Sequence, residues 1–484
     1  MCNRCVFRPF TRLATLTSMI EMADTRRGQM GVAGLSLALL MTALDASLAN
    51  TSLPALARGL DASFAQAQWI VLAYLLAVTS LTVVAGRAGD VLGRRRVFLT
   101  GLTIFTVASA VCAAVPSLRW LIAARAAQGA GAAAMLALPF ALVGEIARVR
   151  PERAMGQLTA MSAVGTTLGP AVGGVLSQVA PGAIFLVNLP LGCAAFVLAL
   201  RYVPRDGAPA PGRVPFDPIG IALLTATLLA YAGSMTRGAG VTTWFLPGAA
   251  LAGAAMFVWM ESRVEAPLVP MDLLLTPAVS VSLAANAVVT TVVTSTLIVG
   301  PFYVLRALGV GQAAAGLLLS TGPAVAAMAA SGAGHLIERV GTRRGSLAGL
   351  AVMTAGGALF SLLPTGTGAV GYVGPLAILT AGYATFQTAN NSAALTGAGA
   401  RRGVVAGLLT LSRNIGQITG ASAMGALFLH HAGGDITTAA PVAIADGMHG
   451  TFAVATLLTG IALVLVARTR AAAISPNHHQ SVHP

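Results

Sequence analysis

Asp45 is the residue of this sequence best suited to chemistry, because it stands alone in a long apolar stretch. It is the only charged residue between Arg27 and Arg58. A charged side chain at the middle of a bilayer costs at least ~2.5–3.5 kcal/mol on insertion scales, and such residues usually mark ion or proton paths. Burial disfavours the charged form of a carboxyl group, so Asp45 could take up and release a proton near neutral pH. It could instead be a hydrogen-bonded polar group that holds helices together.

Arg125 and Arg413 are the only charged residues of two further apolar stretches, 120–144 and 403–434. Arginine does not give up its proton in proteins, so neither residue could carry a proton itself. Arg125 could lower the proton affinity of a nearby carboxylate and trigger release, or it could pack helices together. Arg413 could bind an acidic or carbonyl-bearing substrate, or hold backbone carbonyls. Our working hypothesis assigns proton coupling to Asp45 and Arg125.

Uncharged polar side chains inside apolar stretches are candidates for the wall of a substrate cavity. A polar group in hydrocarbon needs a partner, so hydrogen bonding between helices is the default role of any one of them. Some of them should nevertheless line the cavity, together with Arg413. The candidates are Asn50, Gln128, Asn188, Gln387 and Asn390, with Asn286 and Asn391 as further polar positions.

Motifs of common enzymes and metal sites are missing from the sequence. All 29 basic residues are arginines, which excludes the lysine of a P-loop and the Schiff-base lysine of pyridoxal enzymes. The motifs H-E-x-x-H and G-x-S-x-G do not occur either. Cys2 and Cys5 form at most half a zinc site, and His478, His479 and His483 at most a weak one. We therefore expect no enzyme, no cofactor and no metal.

The elements that must position these residues follow from the composition. Of 484 residues, 56% are hydrophobic and 9% are charged, and the mean hydropathy is +0.81. A soluble domain carries roughly 25% charged residues, so this chain has too few to cover a water-facing surface. A spanning helix needs about 20 apolar residues. The composition therefore indicates an all-α polytopic membrane protein.

Apolar runs bounded by charged or turn residues predict about 14 transmembrane helices. The runs lie at 30–53, 68–88, 97–115, 120–146, 155–179, 184–203, 218–235, 244–260, 279–304, 314–333, 347–363, 372–395, 404–429 and 451–467.

The arginines test this number of spans. If both termini are cytoplasmic, four arginines fall in outside loops and two within spans, so 23 of the 29 are cytoplasmic. This asymmetry follows the positive-inside rule. Removing one middle span would move later pairs such as Arg343 and Arg344 to the outside. We expect a multi-pass protein of the cytoplasmic membrane, whose arginine-rich loops set topology rather than bind nucleic acid.

Two patterns recur at nearly the same offset along the chain. Segments 86–96 and 334–344 both read G-x-x-x-acid-x-x-G followed closely by arginine, 248 residues apart. Glycines at 156, 165 and 169 recur at 407, 416 and 420, 251 residues apart. Two independent patterns with similar offsets indicate a duplication, as in transporters whose site lies between repeated halves. The predicted domains are a cytoplasmic tail (1–28), a six-helix bundle (29–203), linkers with two inserted helices (204–274), a second six-helix bundle (275–468) and a cytoplasmic tail (469–484).

Four sequence motifs follow one another along the first five predicted spans. They are L-D-x-x-x-x-N-x-x-L-P at 44–54 and G-x-x-x-D-x-x-G-R-R at 86–95, then R-x-x-Q-G-x-G at 125–131 and G-x8-G-x3-G-P-x2-G-G at 156–174. With these motifs the chain resembles the major facilitator superfamily, specifically its family of fourteen-span drug/proton antiporters. The resemblance extends over nearly the whole chain, from residue 28 to residue 470.

The resemblance implies a conformational latch at the repeated loop. Asp90 and Arg94 would hold the halves together when the protein faces outward, with Glu145 as a partner of Arg94. The second-half loop has a glutamate in place of aspartate and Thr342 in place of the first arginine, so it should gate less strictly. Part of the arginine cluster could serve topology alone. The latch residues are Gly86, Asp90, Gly93, Arg94, Arg95, Glu145, Glu338, Arg339 and Gly341.

The antiporter motif of the fifth span comprises Gly165, Gly169, Pro170, Gly173 and Gly174. Glycines four residues apart share one face of a helix, and small residues let helices approach closely. Proline removes a backbone donor and bends the helix. We expect a seam that seals the cavity against proton leak, with general helix packing as the alternative.

The working hypothesis is proton-driven export of a hydrophobic or amphiphilic small molecule, such as a drug or antibiotic, by alternating access. The protein would act as a monomer in the lipid bilayer. Asp45 would take a proton from outside and release it inside as the substrate leaves. Two alternatives stay open. One is an exporter of one specific metabolite or self-made antibiotic, and the other is a membrane receptor or scaffold that transports nothing.

Overall fold

The computed structural model is helical throughout the residues that it describes. These residues are 8–146, 151–180, 182–206, 218–236, 242–263, 271–364, 367–397, 402–433 and 439–469. Cys2, Cys5 and the C-terminal histidines named above lie outside them. The expectation of an all-helical protein is thus confirmed for the described part of the chain.

Nineteen α-helices, numbered in chain order, make up the described structure, and two π-helical turns continue α13 and α17. The π turns are Tyr303–Ala307 and Gly420–Met424. The α-helices are α1 (Arg8–Thr51), α2 (Leu53–Gly59), α3 (Phe64–Leu92), α4 (Arg94–Ala114), α5 (Leu118–Ala137), α6 (Pro139–Ile146), α7 (Pro151–Val179), α8 (Ala183–Leu186), α9 (Asn188–Tyr202), α10 (Pro218–Thr236), α11 (Thr242–Glu261), α12 (Met271–Leu274), α13 (Pro277–Phe302), α14 (Gln312–Val340), α15 (Thr342–Ser361), α16 (Gly368–Gly397), α17 (Arg402–Thr419), α18 (Gly425–His431) and α19 (Pro441–Arg468).

Ten helical segments within the described ranges are long and apolar enough to cross a membrane. Four other predicted spans coincide with α7, α11, α15 and α17, which are not among these ten. The segment Leu246–Glu261 of α11 is apolar, and α15 carries two arginines in its first turn. A count of fourteen spanning helices is therefore not confirmed, because several of these helices contain glycine, serine and arginine where a spanning helix would have apolar residues.

The predicted loop at 86–96 is almost entirely helical. α3 continues to Leu92 and α4 begins at Arg94, so that only Gly93 lies between them, with a φ of +102°. A side chain at Gly93 would be strained at this φ, and its Cβ would lie 2.4 Å from the carboxylate of Asp206. Charged residues thus end the apolar part of each helix without ending the helix itself.

The two ends of the chain form separate groups of helices with similar neighbours. In the first half α1 packs on α7, α3 on α5, and α4 on α5. In the second half α13 packs on α17, α14 on α16, and α15 on α16. α10 and α11 pack on each other, and α10 also contacts α3 and the second π turn. The candidate site lies between the two halves.

The halves meet tightly at one end of the molecule, where α3 begins. The ring of Phe64 makes edge contacts with Phe302 and Phe428, at centroid distances of 4.9 and 6.0 Å. Gln68 donates a hydrogen bond of 2.7 Å from Nε2 to the carbonyl of Ala421 in the second π turn. We call this the closed end.

Candidate functional site

A buried polar cluster joins four helices of the first half. Asp45 comes from α1, Ser109 from α4, Arg125 and Gln128 from α5, and Asn188 from the first turn of α9. Arg125 and Gln128 are three residues apart, so they share one face of α5. All five side chains are buried, and Asp45 has no exposed surface.

The centre of the cluster is an ion pair between Asp45 and Arg125. Nη1 of Arg125 donates to Oδ2 of Asp45 at 2.5 Å and to Oε1 of Gln128 at 2.6 Å. Nε of Arg125 donates to the carbonyl of Ile70 on α3 at 3.0 Å. The guanidinium also lies 4.4 Å from the ring centroid of Tyr74. One buried arginine therefore connects α1, α3 and α5.

The second carboxylate oxygen of Asp45 is held by two side-chain amides. Gln128 donates from Nε2 to Oδ1 at 2.8 Å, and Asn188 donates from Nδ2 to the same atom at 2.7 Å. Gln128 also donates to Oγ of Ser109 at 2.8 Å. Both oxygens of the carboxylate therefore accept hydrogen bonds from side chains of neighbouring helices.

A change of charge on Asp45 would alter the packing of these helices. A proton on Asp45 would remove the charge that balances Arg125, and a buried charge without a partner is costly. The protonated side chain would also lose acceptor capacity toward the amides of Gln128 and Asn188. Protonation would thus loosen α1 from α5 and α9.

A cavity of about 890 Å³ lies between the two halves. Its wall includes Asn50 of α1, Tyr74 of α3, Arg125 of α5 and Arg413 of α17. It ends near Tyr372 at the closed end and reaches Phe140 and Gly407 at the opposite end. The Asp45–Arg125 pair therefore borders a space that is open toward the end where Arg94 lies.

The predicted wall residues separate into two groups. Asn50 and Arg413 line the cavity, whereas the other four candidates lie outside its lining. Gln128 and Asn188 point at Asp45. Gln387 donates to the hydroxyl of Tyr383 at 3.3 Å, and Asn390 accepts from Ser282 of α13 at 2.8 Å. The partner of Gln387 lies on its own helix, α16, whereas Gln128, Asn188 and Asn390 have partners on neighbouring helices.

Asn286 also bonds between helices rather than facing the cavity. Its Nδ2 donates to the carbonyl of Leu409 at 2.9 Å and to Oγ of Ser412 at 3.3 Å. It therefore joins α13 to α17.

Arg94 joins two carboxylates at the open end of the molecule. Its Nη2 donates to Oδ1 of Asp90 at 2.9 Å, and its Nη1 donates to Oε1 of Glu145 at 2.8 Å. All three side chains are partly exposed and belong to the first half. The cluster thus ties the end of α3 to the end of α6.

The neighbouring residues of this cluster are tied to the end of α9. The backbone amides of Arg95 and Arg96 donate to the two carboxylate oxygens of Asp206, at 2.8 and 3.1 Å. The side chain of Arg95 donates to the carbonyl of Leu200. A carboxylate at the start of a helix satisfies free amides and interacts well with the helix dipole. Gly86, by contrast, has open space at the position of a Cβ, with nothing within 4 Å.

The corresponding residues of the second half are arranged more simply. Glu338 and Arg339 are exposed, and neither forms an ion pair with another residue of the described ranges. Gly341 has a φ of +84° between α14 and α15, as Gly93 has between α3 and α4. Arg343 donates to the carbonyl of Ala467 at 2.8 Å, a bond similar to that of Arg95.

The antiporter motif packs α7 against α1. A Cβ at Gly165 would lie 2.4 Å from the carbonyl oxygen of Leu40, and one at Gly169 would lie 2.3 Å from Cβ of Ser47. Pro170 has no amide to offer the carbonyl of Thr166, which instead accepts a hydrogen bond of 3.1 Å from Ser47. The proline therefore creates a contact between the two helices.

The last part of the motif reaches the other half of the protein. A Cβ at Gly174 would lie 2.5 Å from the carbonyl oxygen of Gln312 and 3.0 Å from Cα of Gly316 on α14. A Cβ at Gly316 would lie 2.3 Å from the carbonyl oxygen of Pro170. Gly173 faces α1, near Ser52 and Leu48. Pro170 and Gly174 thus form part of the closed end.

Sequence reasoning missed several residues that the structure places at these sites. Ser109 and Tyr74 complete the surroundings of Asp45, and Gln68 bridges the halves. Serine and tyrosine are common within apolar helices, so the sequence does not distinguish Ser109 and Tyr74, whereas Gln68 is an uncharged polar residue within a predicted span and had a signal. Asp206 could have been predicted as a helix-capping candidate, since it is an acidic residue shortly after a predicted span.

The chain matches the family model described as Major Facilitator Superfamily over residues 35–421. It is 31% identical over 470 residues to the lincomycin resistance protein of Streptomyces lincolnensis, covering 94% of this chain and 95% of that protein. It is 31% identical to the multidrug resistance protein Stp of Mycobacterium tuberculosis over 81% of this chain and 74% of that protein. The Escherichia coli uncharacterized transporter YebQ is 33% identical over 81% of this chain and 87% of its own length.

Solved structures share the fold. A bacterial homologue of the human lysosomal transporter Spinster, in an inward-facing and unoccupied conformation, superposes with a TM-score of 0.65 at 15% identity. The match covers 91% of this chain and 96% of that one. A transporter of the POT family in complex with a thioalcohol-conjugated peptide gives a TM-score of 0.67 at 14% identity, with 90% and 96% covered.

Proposed function

This chain belongs to the Major Facilitator Superfamily and is a multi-pass membrane transporter, and on that premise we propose that it is a proton-coupled antiporter. It would export a hydrophobic or amphiphilic small molecule across the cytoplasmic membrane by alternating access. Its similarity to proteins named for multidrug and lincomycin resistance supports a drug or antibiotic as the substrate. These transporter relatives favour transport over a receptor or scaffold.

The observation that carries the proposal is the buried pair of Asp45 and Arg125 at the cavity wall. The buried carboxylate of Asp45 lies 2.5 Å from the guanidinium of Arg125, which itself borders the cavity. A ligand that enters the cavity can therefore affect the carboxylate through the guanidinium. A carboxylate in this position can hold a proton in one conformation and lose it in another.

The exchange cycle follows from this pair. With the cavity open to the outside, Asp45 takes a proton and releases its hold on Arg125. With the cavity open to the inside, Arg125 returns to the carboxylate and the proton leaves. One charge crossing 100 mV is worth about 2.3 kcal/mol, which sustains roughly a fifty-fold gradient.

The membrane orientation belongs to the same proposal. Both termini and the Arg94 end face the cytoplasm, since the spans predicted from the sequence then leave most arginines in cytoplasmic segments. Fourteen helices span the bilayer, in two six-helix bundles (29–203 and 275–468) around an inserted pair (204–274), and the protein works as a monomer. The cluster of Asp90, Arg94 and Glu145 acts as the latch, and the seam between α1 and α7 limits proton leak.

Substrate-driven proton flux tests the proposal. In energised inside-out vesicles, we expect some compounds of a panel of dyes and antibiotics to cause proton release that dissipates the gradient. We expect Asp45→Asn to abolish that release. Asp61→Asn is the matched control, because Asp61 is an exposed carboxylate outside the cavity and its replacement should change nothing. Release that persists in Asp45→Asn would remove Asp45 from the proton path. Release by no compound would contradict antiport of drugs.

A second candidate function is export of one specific antibiotic or metabolite. The lincomycin resistance protein favours it, because that relative matches along almost the entire length of both chains. The same panel separates the two functions. A single active compound class indicates a specific exporter, whereas several unrelated classes indicate a multidrug pump.

A further inference from the structure

The cavity wall carries positive charge on the second half of the protein. On α17, Thr410, Arg413, Asn414 and Gln417 all line the cavity. Their spacing of three and four residues places them on one face of the helix. α17 therefore presents a polar stripe, with a guanidinium near its middle, to a cavity that is otherwise largely apolar.

Arg413 differs from Arg125 in its surroundings. Arg125 is 1% exposed and is paired with Asp45, whereas Arg413 is exposed within the cavity. Among the described residues, no carboxylate and no backbone carbonyl accepts a hydrogen bond from Arg413. A role in holding carbonyls across the second half therefore does not account for it.

The cavity lacks a negative charge to balance Arg413. None of the acidic side chains within the described ranges is part of its lining, and Asp45 lies behind Arg125. A charge inside a protein interacts more strongly than in bulk water because the local dielectric is lower. A cationic ligand would meet repulsion here, while an oxyanion would be attracted.

The remaining wall fits an apolar body. Val293 and Leu297 of α13, Leu376 of α16, and Val71 and Leu75 of α3 line the same cavity. A molecule with an apolar skeleton and one anionic group could bury the skeleton against these side chains while its oxygens reach the guanidinium. Planar guanidinium groups bind oxyanions through two parallel hydrogen bonds.

We propose that the transported substrate is an organic anion with an apolar body, and that Arg413 binds its oxyanion group. This inference rests on the proposed transport function and names its substrate class. Arg413 is thus the residue that selects substrates by charge, while Asp45 and Arg125 handle the proton.

The test compares two ligands that differ in charge but hardly in size. The anionic ligand is an undecane chain with a dansylamino group at one end and a free sulfonate at the other, and the neutral ligand carries a primary sulfonamide in place of that sulfonate. Both are titrated against the full-length protein in lipid nanodiscs at neutral pH, with dansyl fluorescence as the readout. We expect the sulfonate to bind at least about tenfold more tightly, since a hydrogen bond between two charged groups is stronger than one to a neutral group. Arg413→Gln should remove this preference by weakening sulfonate binding more than sulfonamide binding, and Arg413→Lys should restore part of the preference.

Arg468→Gln is the matched control, because Arg468 is an exposed arginine at the end of α19 and does not line the cavity. Equal or tighter binding of the sulfonamide by the wild-type protein would overturn the inference, as would a preference that persists in Arg413→Gln. Sulfonate binding through Arg413 without any substrate-driven proton flux would refute antiport but not this inference. Proton flux driven only by cations, together with no preference for the sulfonate, would refute this inference but not antiport.

Discussion

At the residue scale, the molecule separates two tasks that a transporter must keep apart. Asp45 and Arg125 neutralise each other within a buried cluster, in which each side chain is only 1% exposed. Arg413 is exposed to the cavity and stays available to a ligand. Arg125 and Arg413 differ in their neighbours. Gln128 and Asn188 surround the pair of Asp45 and Arg125, whereas threonine and amide side chains without a carboxylate accompany Arg413.

We expect Asp45→Ala and Arg125→Ala each to destabilise the protein by about 3–5 kcal/mol, because each leaves a buried charge without its partner. The double variant should lose clearly less than the two changes together. Thermal unfolding in detergent, followed for both single variants and the double variant, measures this coupling. Additive losses would mean that the two side chains do not depend on each other.

At the element scale, close helix contacts hold the first half together. α7 approaches α1 along glycines, and the missing amide of Pro170 leaves a carbonyl for Ser47. The second half repeats this contact, because a Cβ at Gly416 on α17 would lie 2.4 Å from the carbonyl oxygen of Ala287 on α13. Similar sequence spacing thus accompanies similar packing in both halves.

Gly165→Leu should separate α7 from α1, because its Cβ would overlap the Leu40 carbonyl, and overpacking typically costs about 1–3 kcal/mol. Gly156→Leu on the same helix is the control, since nothing lies within 4 Å of a Cβ placed there. We expect a lower unfolding temperature for Gly165→Leu alone. Equal unfolding temperatures would show that the seam tolerates side chains.

A carboxylate also fixes the start of α4. Asp206→Ala should cost about 0.5–2 kcal/mol, the usual cost of removing a helix cap. The backbone amides of Arg95 and Arg96 lose their acceptors, so their hydrogen exchange should accelerate while that of the α3 N-terminus stays unchanged. Unaltered exchange at these two amides would contradict the capping role.

At the scale of the whole molecule, packing between the halves at one end leaves the cavity accessible from the other. Aromatic contacts of Phe64, the Gln68 hydrogen bond and the contact of Gly174 with α14 close one end. At the opposite end the cavity reaches Gly407. Opening the closed end would require these contacts to separate, so the transport cycle and the stability of this end are linked.

In a background without native cysteines, Gly407→Cys should react with a membrane-impermeant maleimide in inside-out vesicles and at least about tenfold less in right-side-out cells. The site has open space for a side chain. Gly311→Cys, in the connection before α14, should show the opposite preference. Labelling of Gly407→Cys mainly from outside would reverse the orientation proposed above.

The sequence alone determined the helical membrane class, the isolated charges and the motif positions, because hydropathy and spacing are properties of neighbouring residues. Only the tertiary structure decided that Asp45 contacts Arg125, that Arg413 faces the cavity and that Gln387 does not. In a membrane both lipid and protein interior are apolar, so the pattern of apolar residues along a helix does not reveal which face meets the cavity. That choice depends on contacts between residues far apart in the chain, which local composition does not encode.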